Sequence, residues 1–269
     1  MMRHLSFFGI STRIIHPFEP LVPILIEAIR AYPCKGETHE WGSEGLQDGD
    51  IIVLAESAVA TAQGRVIALD TIVPSKEACQ YAQQFEMDPA LCELVLAESD
   101  EIVGGIPGFL LAMVNDSLLP NAGIDGSNAP AGHVVLLPDN PDACAKSIKK
   151  ALEKEFQVSL AVLIIDSRTH PMRYGCGGIA IGCSGLKAVV DERGRADLFG
   201  NPLQVTRRAV ADNIASAAEL LMGEADEAVP LVIVRGEKGI VPPITDDTGI
   251  PRISPDECLF MGVMRGKLI

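Results

Sequence analysis

The sequence predicts a folded chain in which α-helices and β-strands are mixed, and three observations predict it. Short continuous apolar runs recur behind turn residues, at Ile51–Ala55, Leu160–Ile165 and Leu231–Val234, the signal of buried strands. Between them lie segments with apolar residues every three or four positions, the stripe of a helix that packs on one side. The chain has 269 residues, 48% hydrophobic and 22% charged, which is the composition of a globular protein able to bury a sizeable core.

The N-terminal stretch MMRHLSFFGI breaks at Ser11-Thr12-Arg13 without a small-residue cleavage site, so it reads as a first strand rather than a signal peptide. A helix follows over 20–32, with Ile24, Ile26, Ala28 and Ile29 apolar, and a polar loop runs from Pro33 to Asp50. Behind Asp48-Gly49-Asp50 stands the Ile51 strand. A helix runs from Val73-Pro74-Ser75 to Phe85, and Asp88-Pro89 opens another, Asp as N-cap and Pro at the first helical position. Residues 103–119 alternate loosely and read as one or two strands, and Val134–Leu137 as one more. Asn140-Pro141 starts a helix whose Ala145, Ile148, Leu152 and Phe156 share a face. Leu160–Ile165 ends in Asp166, and 175–190 is a glycine-rich apolar stretch of closely packed strands. A helix over 205–222 shows Val210, Ile214, Ala217 and Leu221 on one face, with Gly223 just past its end. The tail 237–269 reads as an arm or short hairpin, and no clean domain boundary is visible.

Composition excludes several function classes. Lys+Arg total 22 against Asp+Glu 36, a formal charge of −14, which repels phosphate backbones and anionic lipid headgroups. Aromatic residues are only 4%, too few for a base-stacking platform. No apolar run is long enough to span a bilayer. The expectation is a cytoplasmic protein that binds neither nucleic acid nor membrane. Its cysteines (Cys34, Cys79, Cys92, Cys144, Cys176, Cys183 and Cys258) are odd in number, have no CxxC spacing and mostly sit in apolar stretches, so they read as reduced, buried thiols. GxGxxG after a strand, GxxxxGK[ST] and GxSxG are all missing, so a dinucleotide site, a P-loop and a serine-hydrolase elbow are unsupported.

Four segments place polar residues among small or apolar ones: Asn121–Asn128 (NAGIDGSN), Asp166-Ser167 followed by Arg168, His170 and Arg173, Asp212-Asn213, and Gln63-Gly64-Arg65. Asp125 and Asp166 are hard oxygen donors; with the Ser167 hydroxyl and amide oxygens they suit Mg²⁺ or Mn²⁺. A dication would let so acidic a chain hold an anionic substrate. Plainer alternatives stand beside this. NAGIDGSN reads equally as a turn whose Asx side chains bond their own backbone, and Asp166 as a solubilising strand end. Arg173 would then be a structural ion-pair partner and Asn213 a satisfied helix residue. Cys176 and Cys183 read as packing residues rather than nucleophiles.

The chain also resembles a known family. DGDIIVLAESAVATAQGR (48–65), PSKEACQYA (74–82), DPALCELVLAESDEIV (88–103), NAGIDGSN (121–128), LLPDNPDACAKSIKKAL (136–152), DSRTHPMRYGCGGIAIGCSGLKAVVDERGRADLFGNPLQVT (166–206) and ADNIASAAELLMGEADEAVPLVIVRG (211–236) are similar, in that order, to the coenzyme F420-0:γ-glutamyl ligase family. NAGIDxSN and the helix ADxIAxxAxLLMGE are its most specific stretches. The resemblance implies an α+β fold of two intertwined α/β subdomains with mixed sheets, over residues 1–236, with 237–269 as an extension outside it. It implies a homodimer that joins L-glutamate to the carboxylate of a small anionic substrate, using GTP as co-substrate and Mg²⁺ or Mn²⁺ as the metal.

Carried onto this chain, the resemblance makes Asp125, Asp166, Ser167 and Asn213 metal ligands and gives Ser167 and Arg173 catalytic roles. It places the nucleotide at Asn128, Ser57 and Thr61 and along the helix start Ala211, Asp212, Asn213, Ile214, Ala215, Ser216, Ala217 and Ala218. The departures are specific. Thr61 and His16 stand where the family has lysines, Asn213 where it has a metal-binding glutamate, and His170 where it has an arginine. Two functions follow as alternatives: a metal-dependent, GTP-driven amide ligase, or a diverged relative that keeps the fold and binds a small anion or a partner.

Overall fold

The computed structural model describes residues 4–32, 45–236 and 240–266, so most of the loop expected between Pro33 and Asp50 lies outside the described residues. In chain order come β1 (Leu5–Ile10), α1 (Leu21–Ala31), β2 (Ile51–Ala55), α2 (Glu56–Ala62), β3 (Val66–Ala68), α3 (Lys76–Phe85) and α4 (Pro89–Glu98). Next are β4 (Glu101–Ile106), β5 (Phe109–Val114), β6 (Ser117–Pro120), β7 (His133–Val135) and α5 (Pro141–Phe156). The remainder is β8 (Ala161–Thr169), β9 (Cys176–Ser184), β10 (Val189–Asp191), β11 (Arg207–Ala209), α6 (Val210–Met222), β12 (Leu231–Gly236) and α7 (Leu259–Met264). These form two compact units, one drawn from Met1–Gly64 and Pro138–Ile250, the other from Arg65–Leu137 and Pro251–Ile269.

The first unit is built on a five-stranded sheet of order β1-β12-β2-β8-β9, in which only the β2–β8 pair is parallel. This mixture of parallel and antiparallel strands beside helices is the expected α+β class. Ile51, Val53, Ala161, Leu163, Ile165, Val232 and Val234 form one face and pack with Val210, Ile214, Ala215, Ala218 and Met222 of α6. The alternate residues Ile52, Leu54, Val162, Ile164 and Ile233 are buried too. With both faces covered, the strands read as continuous apolar runs rather than alternating ones. Each such side chain contributes about 1.5–3 kcal/mol by leaving water.

Two glycines let helices approach β9 closely. A Cβ on Gly178 would lie 2.5 Å from the Ala215 carbonyl oxygen of α6, and one on Gly182 would lie 2.6 Å from the Pro141 backbone of α5. Between them the ladder with β8 shifts register at Ile164/Ile165. On the adjoining strands, the Arg235 guanidinium donates to both Asp50 oxygens at 2.8 and 2.6 Å and to the Gly45 carbonyl, and Asp50 is almost wholly buried. The tail also joins this unit. Thr245 N–H donates to the Gly185 carbonyl, Gly185 N–H to that of Asp247, and Gly249 N–H to that of Cys183, along the end of the edge strand β9.

The second unit holds the β4-β5-β6 meander and the β3–β7 pair. The Asp88 carboxylate caps α4 by accepting from Ala90 and Leu91 N–H, as the sequence predicts, and the Ser75 hydroxyl caps α3 by accepting from Ala78 N–H. Cys92, Val95, Leu110, Ala112, Ala122 and Val134 belong to its core.

Several sequence expectations change. The helix expected from 205 starts at Val210, because Arg207–Ala209 pair with Val189–Asp191. The stretch 103–119 contributes to three strands, not one or two. A short helix, α2, follows the Ile51 strand unannounced. The Leu160 strand runs past Asp166 to Thr169, because β9 keeps pairing with it. The tail holds a helix, α7, rather than a hairpin. Cys92 and Cys183 are buried thiols, but Cys79 and Cys176 are exposed and Cys144 and Cys258 half-buried; Cys34 lies outside the described residues.

Candidate active site

Asp166 sits where β8 emerges from the core of the first unit, directly after the buried Ile165. Its Oδ2 accepts from Arg168 Nε at 2.9 Å, and both side chains are largely enclosed, at 12% and 15% exposure. Ser167 between them is exposed. Helix α6 lies against β9, the neighbouring strand. Asp212, in its first turn, accepts from Ala180 N–H at 3.1 Å through Oδ1, and the Ser216 hydroxyl donates to the Gly178 carbonyl at 2.8 Å. Burial raises the Asp212 carboxyl above its ordinary range; the Ala180 N–H and the charges of Arg168 and His170 oppose that shift. One face of the helix therefore carries two acids seven residues apart, Asp212 and Glu219. Burial, together with the charge and hydrogen bond of Glu224, pushes Glu219 up to about 7, with Asp166 adding to the repulsion.

The other expected residues of this unit are spread around the cluster. Ala211, Ile214, Ala215 and Ala218 pack into the core, so of the expected nucleotide segment only Asp212, Asn213, Ser216 and Ala217 keep any exposure. Asn213 is exposed. Ser57 and Thr61 are half-buried on α2. Arg173 is exposed in the turn beyond the last β8–β9 pair, Thr169–Cys176, which lies three pairs past Asp166. That pair lies about 10 Å along the strand from Asp166. His16 is exposed, and nearby Arg13 is held by Glu19 at 2.7 Å. Gln63 ties the end of α2 to the start of α5, donating to the Asp139 carbonyl and accepting from its N–H.

Asp125 belongs to the second unit. Its backbone pairs both ways with Val135, its Oδ1 accepts from Ser127 N–H at 2.9 Å, and its Oδ2 accepts from the Ser127 hydroxyl. The Asx turn the sequence allowed is therefore formed. Ahead of it Asn121, Ala122 and Gly123 all have positive φ, and the buried Asn121 side chain accepts from Leu110 N–H. Gly123 is required there: its φ is +75° and a Cβ would meet Leu137 at 2.8 Å. Asn128, also at positive φ, and Asp125 are exposed.

The donors suit a hard dication in kind: carboxylate, hydroxyl and amide oxygens. Asp125 would have to yield its Ser127 hydroxyl contact, and Asp166 would have to share itself with Arg168. Among the described residues no three His, Cys, Asp or Glu side chains are grouped to hold a metal. Sequence reasoning missed Glu219; its spacing from Asp212 was the available signal, since residues seven apart share a helix face.

A family model described as F420-0:Gamma-glutamyl ligase matches residues 9–236. Coenzyme F420:L-glutamate ligase of Methanothermobacter thermautotrophicus is 44% identical over 196 residues, 72% of this chain and 78% of its own. The proteins of the same name from Methanopyrus kandleri and Methanocaldococcus jannaschii are 42% and 43% identical, covering 73% and 71% of this chain and 78% and 77% of theirs.

Proposed function

The chain belongs to the F420-0:γ-glutamyl ligase family, and from that membership we propose that it is an amide ligase joining L-glutamate to the carboxylate of a coenzyme F420 precursor, driven by GTP. The observation that carries this reading is the extent of the likeness, from Gly9 to Gly236, which includes both aspartate-bearing segments and α6. A carboxylate is a poor electrophile. Transfer of the GTP γ-phosphoryl group to it gives an acyl phosphate and GDP; the glutamate amine then attacks the acyl carbon, the C–O bond to phosphate breaks, and phosphate leaves.

In the first unit Asp166 and Ser167 would hold Mg²⁺ or Mn²⁺, with Asn213 as a weaker neutral ligand, and a ligand role is proposed by itself for Asp125 in the second unit. When bound, the metal would supply charge neutralisation at the phosphoryl oxygens. No side chain caps the first turn of α6; the Ala211 N–H donates to the Ala188 carbonyl, and the other N–H groups of that turn would favour an anion beside Asp212 and Asn213. β8 is paired on both sides as far as Ile165 and by β9 alone at Asp166, so the carboxylate leaves a well-anchored strand end. A homodimer is part of the same proposal, to be measured by light scattering.

The test is mass spectrometry of the precursor after incubation with GTP, L-glutamate and Mn²⁺. One added glutamate residue is expected, its formation abolished by chelation and reduced about a hundredfold or more by Asp166→Ala. No product from the wild-type chain with any nucleoside triphosphate would overturn the reading. It would leave the non-catalytic anion binder, which the exchange of charged family residues for His16, Thr61 and Asn213 favours.

A further inference from the structure

We propose that Arg168 is an oxyanion-binding residue: Asp166 fixes its guanidinium at Nε, and Nη1 and Nη2 meet a pair of phosphoryl or carboxylate oxygens on a bound substrate. The Nε–Oδ2 contact at 2.9 Å is the one hydrogen bond Arg168 makes among the described residues. A guanidinium has five N–H donors, so four are left over on a side chain that is only 15% exposed. Those donors are not sealed in, because the sole fully enclosed side-chain polar atom without a partner among the described residues is Glu219 Oε1.

The structural arginines of this chain behave differently. Arg235 engages Asp50 with Nε and Nη2 and spends Nη2 again on Gly45. Arg65 uses Nε on the Leu137 carbonyl and Nη2 on Glu98, and Arg193 grips both oxygens of Asp191. Arg168 alone among these four is held by one edge with the terminal fork open. A fork of two parallel N–H groups matches two oxygens of a phosphoryl or carboxylate group. In a chain of net charge −14, a cation locked in place is also what an incoming anion requires. Asp166 thereby becomes a positioning residue for Arg168 besides its proposed part in metal binding.

The identity of the anion rests on the ligase reading; the binding role does not. The full chain, with Mn²⁺, is titrated calorimetrically with GTP in one arm and L-glutamate in the other, for wild type, Arg168→Gln and Arg168→Lys. Arg168→Gln is expected to weaken one arm about ten- to a hundredfold and leave the other unchanged. Weakened GTP binding assigns the fork to a phosphoryl group, and weakened glutamate binding assigns it to a carboxylate. Arg168→Lys keeps the charge but not the fork and is expected to recover affinity only in part. Wild-type affinity for both ligands in Arg168→Gln overturns the proposal. If that variant fails to fold, wild-type affinity for both ligands in Arg168→Lys does so. Product formation judges the ligase reading separately: a wild-type chain that makes no product, yet loses GTP binding with Arg168→Gln, sustains this inference alone.

Discussion

A carboxyl group enclosed among like charges keeps its proton, and Glu219 is the case in point. Its Oε1 is fully enclosed without a hydrogen-bond partner, and burial together with Glu224 pushes the group up to about 7 from an ordinary 4.5. Between those values the native protein holds a proton that the unfolded chain has released, so stability falls as pH rises through the window. Glu219→Gln cannot ionise. It should melt above wild type at pH 8 and close to it at pH 5; parallel melting curves would contradict the shift. The thiols divide in the same manner. Burial pushes Cys183 up to about 12 and raises Cys92 as well, whereas Cys79 and Cys176 are exposed. Iodoacetamide on the native protein should modify Cys79 and Cys176 and spare Cys92 and Cys183 until denaturant is added, as peptide masses would show. At this scale the sequence reveals donors by type and setting: Asp166 ends an apolar run and Asp125 sits in a Gly/Asn-rich turn. Glu219 looks like any helix-surface acid, because its burial depends on how α6 lies against β9, which no local pattern encodes.

Among the elements, the β9–α6 contact is the most exacting. Gly178→Ala would drive a methyl group to 2.5 Å from the Ala215 carbonyl, so the helix must shift. Overpacking of this kind costs about 1–3 kcal/mol, and urea denaturation should show a loss in that range. Gly177→Ala is the control: its Cβ would meet nothing closer than His170 at 3.6 Å, and little loss is expected. Because α6 also carries Asp212, Gly178→Ala should reduce GTP affinity as well as stability. The strands of the first sheet were legible because both of their faces are buried, which leaves unbroken apolar runs. Element ends were not. Arg207–Ala209 has nothing strand-like about it until Val189–Asp191 supplies a partner, and Asp166–Thr169 is polar and still continues β8 because Cys176–Ile179 pairs with it.

For the whole molecule, the chain enters the second unit at Arg65, returns to the first at Pro138, and leaves it again after Ile250. A boundary crossed several times leaves no single linker to read, which is why composition showed none. Under the proposed reading, a chain of net charge −14 has to capture an anion, and added cations should then register globally. Mn²⁺ together with GTP should raise the melting temperature more than either alone, and chelation should reverse the gain, as differential scanning calorimetry would show. Equal stabilisation by GTP with and without metal would separate the nucleotide from any metal requirement.

The short backbone ladder that Thr245, Asp247 and Gly249 make with Cys183 and Gly185 has a practical consequence. A recombinant chain trimmed at Gly236, where the family likeness stops, would strip the lid from that rim of the sheet and leave a raw strip of amides and carbonyls ready to stitch onto neighbouring molecules. Such a product should cloud and sediment as its concentration rises, while the full chain should stay clear.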